Sequence, residues 1–153
     1  MRGAYMKDRF VMLVAEDDKL DLELLKRALP QREIKVDLQV TRDGEECISY
    51  LKGTGEFANR IEHPLPDVIV LDLKMPLLSG LQVLEWVHKQ KEYAHIPTIM
   101  LSGSSLDKDV QEAYRLGANT FFTKPSGLEN LQELMRRVVD YWTVSERPYT
   151  DPK

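Results

Sequence analysis

Five short apolar runs recur along the chain, and longer amphipathic segments separate them. The runs are Phe10–Ala15, Val36–Val40, Val68–Leu71, Thr98–Leu101 and Thr120–Thr123. Four of them are continuous blocks rich in Val, Ile, Leu or Phe, which is typical of short strands buried on both faces. In Val36–Val40 apolar and polar residues alternate, and this pattern indicates an edge strand with one wetter face.

The segments between the runs carry apolar residues at helical spacing. Leu22, Leu25 and Leu29 follow the first run, and one apolar face continues from Leu128 to Trp142 in the last segment. Strands and helices therefore alternate along the chain, which predicts a parallel sheet with helices on both faces. Because such crossovers are right-handed, the predicted fold class is α/β with a doubly wound, five-stranded parallel sheet.

The length of 153 residues and the ten predicted elements fit one domain, which we place at residues 9–142. We expect residues 1–8 and 143–153 to be flexible termini, because neither segment shows a helical or strand period. The polar segment Gly53–Pro66 is predicted to be a long loop before the third strand.

Composition excludes several classes of function. The chain has 21 Lys and Arg against 25 Asp and Glu, and a net charge of −4 gives no general attraction to nucleic acid or anionic membranes. The single cysteine, Cys47, excludes an internal disulfide framework and is expected in the core.

His63, His88 and His95 fit no metal-ligand spacing and are expected at the surface. Since no apolar run could span a bilayer and the N-terminus lacks a secretory signal, a cytoplasmic location is expected.

Polar residues that carry chemistry stand where four of the apolar runs end. Glu16 and Asp17 follow the first run, Asp72 the third, Ser102 the fourth and Lys124 the fifth. In an open parallel sheet, ligands bind outside the carboxyl ends of the strands, where the strand order reverses. The sequence therefore predicts that these side chains converge on one edge of the sheet.

An acidic cluster at this edge indicates a divalent cation. Asp18 can cap the following helix, which leaves Glu16 and Asp17 without a capping role. Together with Asp72 they would repel one another unless a cation lay between them, and oxygen ligands of this kind suit Mg²⁺. We expect Asp17 to be a direct ligand, Glu16 to act through a water, and Asp72 to share the ion.

Asp72 is also a candidate nucleophile, because a carboxylate can attack a phosphoryl group. A helix start fits better near Ser79 than directly after Asp72, so a capping role for Asp72 is disfavoured. Ser102 and Lys124 would supply the hydroxyl and ammonium donors that a transferred phosphoryl group needs around its oxygens. Pro125 keeps Lys124 extended at the strand end, and the sequence leaves open whether the bond between them is cis or trans.

Four motifs in a fixed order resemble the receiver domain of two-component response regulators. They are Leu13-Val14-Ala15-Glu16-Asp17-Asp18, Leu71-Asp72-Leu73-Lys74-Met75-Pro76, Leu101-Ser102-Gly103 and Thr123-Lys124-Pro125. Each motif alone is a weak signal, whereas the ordered set is specific. The resemblance covers Arg9 to about Trp142, and it implies a flavodoxin-like fold with strand order 2-1-3-4-5.

The resemblance implies a role for each matched residue. Asp72 would be the phosphorylated aspartate, and Glu16 and Asp17 would be the acidic pair that holds Mg²⁺ with it. The main-chain carbonyl of Lys74, two residues past Asp72, would be a further metal ligand. Lys124 would pair with the phosphoryl group and neutralise part of its charge.

A conformational switch is also implied by the resemblance. Ser102 would be the switch hydroxyl that turns toward the phosphoryl group, and Phe121 would be the switch aromatic that swings inward with it. The chain would then be a single-domain response regulator that accepts a phosphoryl group from a histidine kinase and signals by this change of shape. Apart from accepting the phosphoryl group and slowly losing it, the chain would not act as an enzyme.

Two features suggest a subgroup and its partners. The extra length in Gly53–Pro66 and the ending Val138–Trp142 resemble the single-domain regulators associated with phytochrome-type histidine kinases. Such a sensor kinase or a histidine phosphotransfer protein is the expected partner, and neither nucleic acid nor a membrane is expected. Tyr141 and Trp142 could extend a dimer interface, so homodimerisation is a hypothesis. The alternative function is a receiver-like interaction module that works without phosphorylation.

Overall fold

Five parallel strands form one sheet in the order β2-β1-β3-β4-β5, which confirms the predicted doubly wound, flavodoxin-like fold. The structure is a computed structural model, and it describes residues 9–31 and 33–146. The strands are β1 (Arg9–Ala15), β2 (Lys35–Thr41), β3 (Val68–Leu71), β4 (Thr98–Ser102) and β5 (Thr120–Thr123). Of the predicted flexible termini, 1–8 and 143–153, residues 1–8 and 147–153 lie outside the described residues, whereas residues 143–144 are helical.

Among the described residues, five α-helices connect or follow the strands. They are α1 (Lys19–Ala28), α2 (Gly44–Lys52), α3 (Gly80–Lys89), α4 (Asp107–Arg115) and α5 (Leu128–Val144). The sequence pattern predicts that the domain ends at residue 142. Helix α5 continues two residues further, to Val144. Within the described ranges, no helix is both long and apolar enough to cross a membrane.

The helix starts follow the capping residues in the sequence. The Asp18 side chain accepts a hydrogen bond from the Asp21 N–H at 3.0 Å, as predicted for the start of α1. Ser79 begins α3 with a capping box, in which its hydroxyl and the Gln82 side chain each accept a hydrogen bond from the other residue's N–H. These caps fix where the loops after β1 and β3 end.

The sheet separates two apolar cores. On one face, α1 and α5 pack against the sheet, and on the other face α2, α3 and α4 do so. Neighbours along β1 show the division, because Met12 belongs to the first core and Leu13 to the second, and both are fully buried. Cys47 on α2 is also fully buried, as expected. Strands with both faces covered explain why the central apolar runs do not alternate.

The two edge strands differ from the central ones. Strand β2 is an edge strand, as the alternating pattern predicts. The run Thr120–Thr123, expected to be buried on both faces, is instead the second edge and is half-buried to exposed. The expectation of full burial was wrong because an edge strand has a neighbouring strand on one side only, which leaves part of β5 open to solvent. At this edge the N–H of Phe121 donates to the hydroxyl of Tyr114 on α4 at 3.1 Å.

The predicted loop Gly53–Pro66 is a packed segment that contains a short 3-10 helix, Gly55–Phe57. Arg60 donates hydrogen bonds to the main-chain carbonyls of Tyr50 and His63, at 2.8 and 3.1 Å, and to that of Leu51. The His63 ring, expected at the surface, is half-buried and makes edge contacts with Tyr50 and Phe57. The segment therefore has its own small core, and the Arg60 side chain caps the carboxyl end of α2.

Candidate functional site

The carboxyl ends of four strands meet at one edge of the sheet. Glu16 follows β1, Asp72 follows β3, Ser102 is the last residue of β4, and Lys124 follows β5. The strand order reverses between β1 and β3, and a crevice for ligands opens at such a reversal. The structure thus brings together the residues that the sequence places at the strand ends.

Three carboxylates form a cluster that can hold a cation. Glu16, Asp17 and Asp72 each offer an oxygen atom, and these atoms lie within 4.8 Å of one another. Glu16 is buried with 5% exposure, whereas Asp17 is exposed to solvent. A set of three oxygen donors, one of them open to water, suits a hard cation that keeps part of its hydration shell. The residues present therefore fit Mg²⁺.

The electrostatics of the cluster favour a bound positive charge. The pKa of Glu16 is raised to about 7, because burial of its carboxylate outweighs the hydrogen bonds from Lys124 and the Asp18 N–H. The negative charge of Asp72 adds to this rise. A cation between the carboxylates would remove the cost of keeping like charges together.

Lys124 is the cation that the structure already supplies. Its Nζ donates to Asp21 Oδ2 at 2.7 Å, to Glu16 Oε2 at 2.8 Å and to Asp72 Oδ2 at 3.3 Å. Burial alone would lower the pKa of the ammonium, but the hydrogen bonds to Asp21 and Glu16 and the charges of Asp72 and Glu16 together outweigh burial and raise the pKa. Lys124 therefore stays protonated and keeps its positive charge beside Asp72.

The position of Lys124 is fixed by the strand that precedes it. Its main-chain N–H donates to the carbonyl of Ser102 at 2.7 Å, which extends the β4–β5 ladder by one residue. No peptide bond among the described residues is cis, so the bond between Lys124 and Pro125 is trans. The extended backbone before Pro125 places the ammonium at the sheet edge, as predicted.

Asp21 is a site residue that the sequence reasoning missed. It lies in the first turn of α1, and its carboxylate is the nearest of the three that contact Lys124. The available signal was its spacing, three residues after the cap Asp18 on a helix that starts at this edge. An acidic residue there is ordinarily explained by the helix dipole alone, so its contact with a distant lysine is not evident from sequence.

The predicted switch residues Ser102 and Phe121 lie on neighbouring strands. Ser102 is buried, and its hydroxyl accepts a hydrogen bond from the Ser104 N–H at 3.2 Å. Phe121 is half-buried and packs against the core on the side of α2, α3 and α4. Lys74 is exposed in the loop after Asp72.

Gly80 sets how closely this loop approaches Asp72. A Cβ atom at position 80 would lie 2.0 Å from the main-chain oxygen of Asp72. No side chain fits at that distance, so only glycine allows the start of α3 to pack against the end of β3. The loop that carries Lys74 is consequently held against the site.

Comparison with known proteins places the chain in a family. Residues 12–136 match the family described as response regulator receiver domain. The response regulator Rcp1 of Synechocystis sp. (strain ATCC 27184 / PCC 6803 / Kazusa) is 31% identical over 132 residues, which cover 86% of this chain and 88% of Rcp1. The chain belongs to the response regulator receiver family.

Solved structures of relatives agree with this assignment. The phosphorylated cyanobacterial phytochrome response regulator RcpA matches with a TM-score of 0.85 at 30% identity, over 92% of this chain and 99% of RcpA. The Mn²⁺-bound form of Rcp1 matches with a TM-score of 0.82 at 30% identity and the same coverage. The chain is accordingly a response regulator of two-component signalling whose acidic cluster fits a divalent metal, and histidine kinases are the partners of this class.

Proposed function

We propose that Asp72 is the residue on which this receiver domain accepts a phosphoryl group from a histidine kinase. The observation that carries the proposal is the surroundings of its carboxylate at the end of β3. A protonated lysine lies 3.3 Å away, and two further carboxylates offer oxygen atoms within 4.8 Å. A carboxylate between an ammonium and a cation site is arranged for attack on an anionic phosphoryl donor.

The groups around Asp72 indicate how the phosphoryl group would be transferred. An oxygen of Asp72 attacks the phosphorus of a phosphohistidine, a P–O bond forms, and the P–N bond to the imidazole breaks. Lys124 donates hydrogen bonds to the phosphoryl oxygens as charge shifts onto them. When bound, Mg²⁺ neutralises further charge on these oxygens, and Glu16, Asp17, Asp72 and the main-chain carbonyl of Lys74 would hold it.

Acceptance of the phosphoryl group shifts the domain between two packings. The aspartyl phosphate adds negative charge and acceptor oxygens beside Ser102, whose hydroxyl turns to donate to them. Phe121 moves into the space that Ser102 leaves, which alters the surface of α4, β5 and α5. The placement of Ser102 and Phe121 on adjacent strands supports this coupling.

Intact mass spectrometry tests the acceptor. With Mg²⁺ and acetyl phosphate the wild-type chain should gain one phosphoryl group, and Asp72→Asn should gain none. Asp107→Asn, which removes an exposed carboxylate on α4, is the matched control and should gain as much as wild type. Equal gain in Asp72→Asn would move the acceptor elsewhere. No gain in the wild type, together with no response to beryllofluoride, would favour the interaction module that works without phosphorylation.

The proposed function also implies a specific kind of partner for this chain. RcpA is a cyanobacterial phytochrome response regulator, and we therefore propose a phytochrome-type sensor kinase or a histidine phosphotransfer protein as the partner of this chain. The receiver domain would span residues 9–142, and its only chemistry would be phosphoryl acceptance and slow autodephosphorylation. Of the two residues expected at a dimer interface, Tyr141 is 63% exposed and supports the proposed homodimer, whereas Trp142 is half-buried and packs against the core. Light scattering after size exclusion, with and without beryllofluoride, measures its mass.

A further inference from the structure

Lys124 shares its ammonium group unequally among three carboxylates. An ammonium has three N–H donors, and Asp21, Glu16 and Asp72 accept one each. The contact with the proposed acceptor, Asp72, is 3.3 Å, whereas the contact with Asp21 is 2.7 Å. The lysine is therefore held more closely by α1 than by the residue whose phosphoryl group it would bind.

Asp21 has no part in the acidic cluster that suits a cation, which consists of Glu16, Asp17 and Asp72. Its backbone is fixed, because its N–H donates to the cap Asp18 at 3.0 Å. Its side chain is 38% exposed, so water screens its negative charge only in part. Asp21 is thus a charge held at a fixed place beside Lys124.

A cavity between α1 and the segment after β5 gives Lys124 room to move. Asp21, Asp72 and Lys124 all line it, and its remaining wall is mostly apolar. The cavity leaves space beside the ammonium, so its distances to Asp21 and Asp72 can change. The balance between the two positions then depends on the charges that attract it.

We infer that Asp21 is a positioning residue that draws Lys124 toward α1 and so slows the loading of Asp72 with a phosphoryl group. The inference rests on the proposed function of Asp72. Removal of the charge at position 21 leaves Lys124 with fewer competing acceptors and makes the site more positive for an anionic donor. The residue acts through Lys124 and does not touch the reacting atoms.

The test measures how fast acetyl phosphate loads the full chain at saturating Mg²⁺, with intact mass as the readout. Asp21→Asn keeps the size of the side chain and one hydrogen-bond acceptor while it removes the charge. The loading rate should rise by about two- to fivefold, the range that an ion pair with a partly exposed carboxylate supports. Asp21→Glu, which restores the charge, should return the rate toward that of wild type.

Glu23→Gln is the matched control. It makes the same change of charge on α1, but Glu23 contacts Lys26 at 3.4 Å. Its loading rate should equal that of wild type. Thermal unfolding of all variants separates a loss of fold from a change in rate, since a merely structural role for Asp21 would lower stability without speeding the loading.

The outcomes distinguish this inference from the proposed function. Faster loading in Asp21→Asn alone supports it, and equal or slower loading than in Glu23→Gln overturns it while Asp72 remains the acceptor. If the wild-type chain gains no phosphoryl group and does not respond to beryllofluoride, the proposed function fails and the inference fails with it.

Discussion

His88 on α3 lies at the amino end of the sheet, opposite the acidic cluster. Its Nε2 shares a hydrogen bond with the hydroxyl of Thr98, the first residue of β4, at 3.1 Å. Thr98 is fully buried, and the imidazole is half-buried above it. Burial lowers the pKa of His88, because the charged imidazolium loses hydration there.

This shift predicts how stability depends on pH. Since the pKa is lower in the folded than in the unfolded chain, the unfolded chain binds more protons as pH falls through the ordinary value of about 6.5. The contribution of His88 is complete above that value and is lost below it. The free energy of unfolding from urea titrations should therefore fall more between pH 7.5 and 5.5 in wild type than in His88→Gln. Parallel pH profiles of the two proteins would contradict the assignment.

The sequence predicts correctly where the residues that follow strands lie. Glu16, Asp72 and Lys124 are adjacent to apolar runs, and the topology of a parallel sheet brings strand ends together. Asp21 and His88 lie within helices, and their contacts depend on how each helix is rotated and packed. That rotation is set by the whole core, which a local pattern does not contain.

Arg60 is one of the side chains that hold the segment between α2 and β3, together with Tyr50, whose hydroxyl donates to the carbonyl of Pro64 at 2.7 Å. Arg60 donates to three main-chain carbonyls, two of them in the last turn of α2. Gly53, in the left-handed conformation with a φ of 69°, allows the guanidinium to lie against the end of the helix. Carbonyls at a helix end need partners, and here a planar fork of donors supplies them.

Loss of this fork should destabilise the domain. Arg60→Ala removes donors from several part-buried carbonyls, and we expect the free energy of unfolding to fall by about 2–3 kcal/mol. Arg60→Lys keeps the charge but cannot contact all three carbonyls, so it should recover only part of the loss. Urea denaturation measures both variants, and Arg42→Ala is the control for an exposed arginine. A loss below about 0.5 kcal/mol in Arg60→Ala would show that water replaces the guanidinium.

The positions of most strands and helices could be predicted from the sequence, whereas the structure of the segment between α2 and β3 could not. The helices follow a period of 3.6 residues, β2 alternates with a period of two, and the central strands are continuous apolar runs, and the sequence displays all three patterns directly. The segment Gly53–Pro66 has no such period, and its order comes from Arg60 and from the aromatic contacts of His63. Contacts of this kind connect positions through space and leave no repeat in the sequence.

At the scale of the whole molecule, the acidic cluster destabilises the folded chain because it holds like charges close together, and a bound metal would relieve this repulsion. A ligand that binds only the folded chain stabilises it by about 1.4 kcal/mol when its free concentration is roughly ten times the Kd. Mg²⁺ should raise the urea midpoint in proportion, and an excess of EDTA should reverse the rise. Asp17→Asn should lose most of this Mg²⁺ effect.

Asp18→Asn provides the comparison for the metal test. It removes a neighbouring charge, yet asparagine still caps α1, so the response to Mg²⁺ should remain. An equal response in Asp17→Asn and wild type would mean that the cation binds elsewhere on the chain.

The hydroxyl of Tyr114 has a consequence for how partners can read the α4–β5–α5 surface. An open sheet edge normally offers unpaired N–H groups onto which a foreign strand can add. At β5 the N–H of Phe121 is already bonded to Tyr114, and β5 has only four residues. Addition of a foreign strand is therefore disfavoured at β5, and we expect a partner to recognise this surface through side chains, so that a change in the packing of Phe121 would alter the surface that the partner contacts.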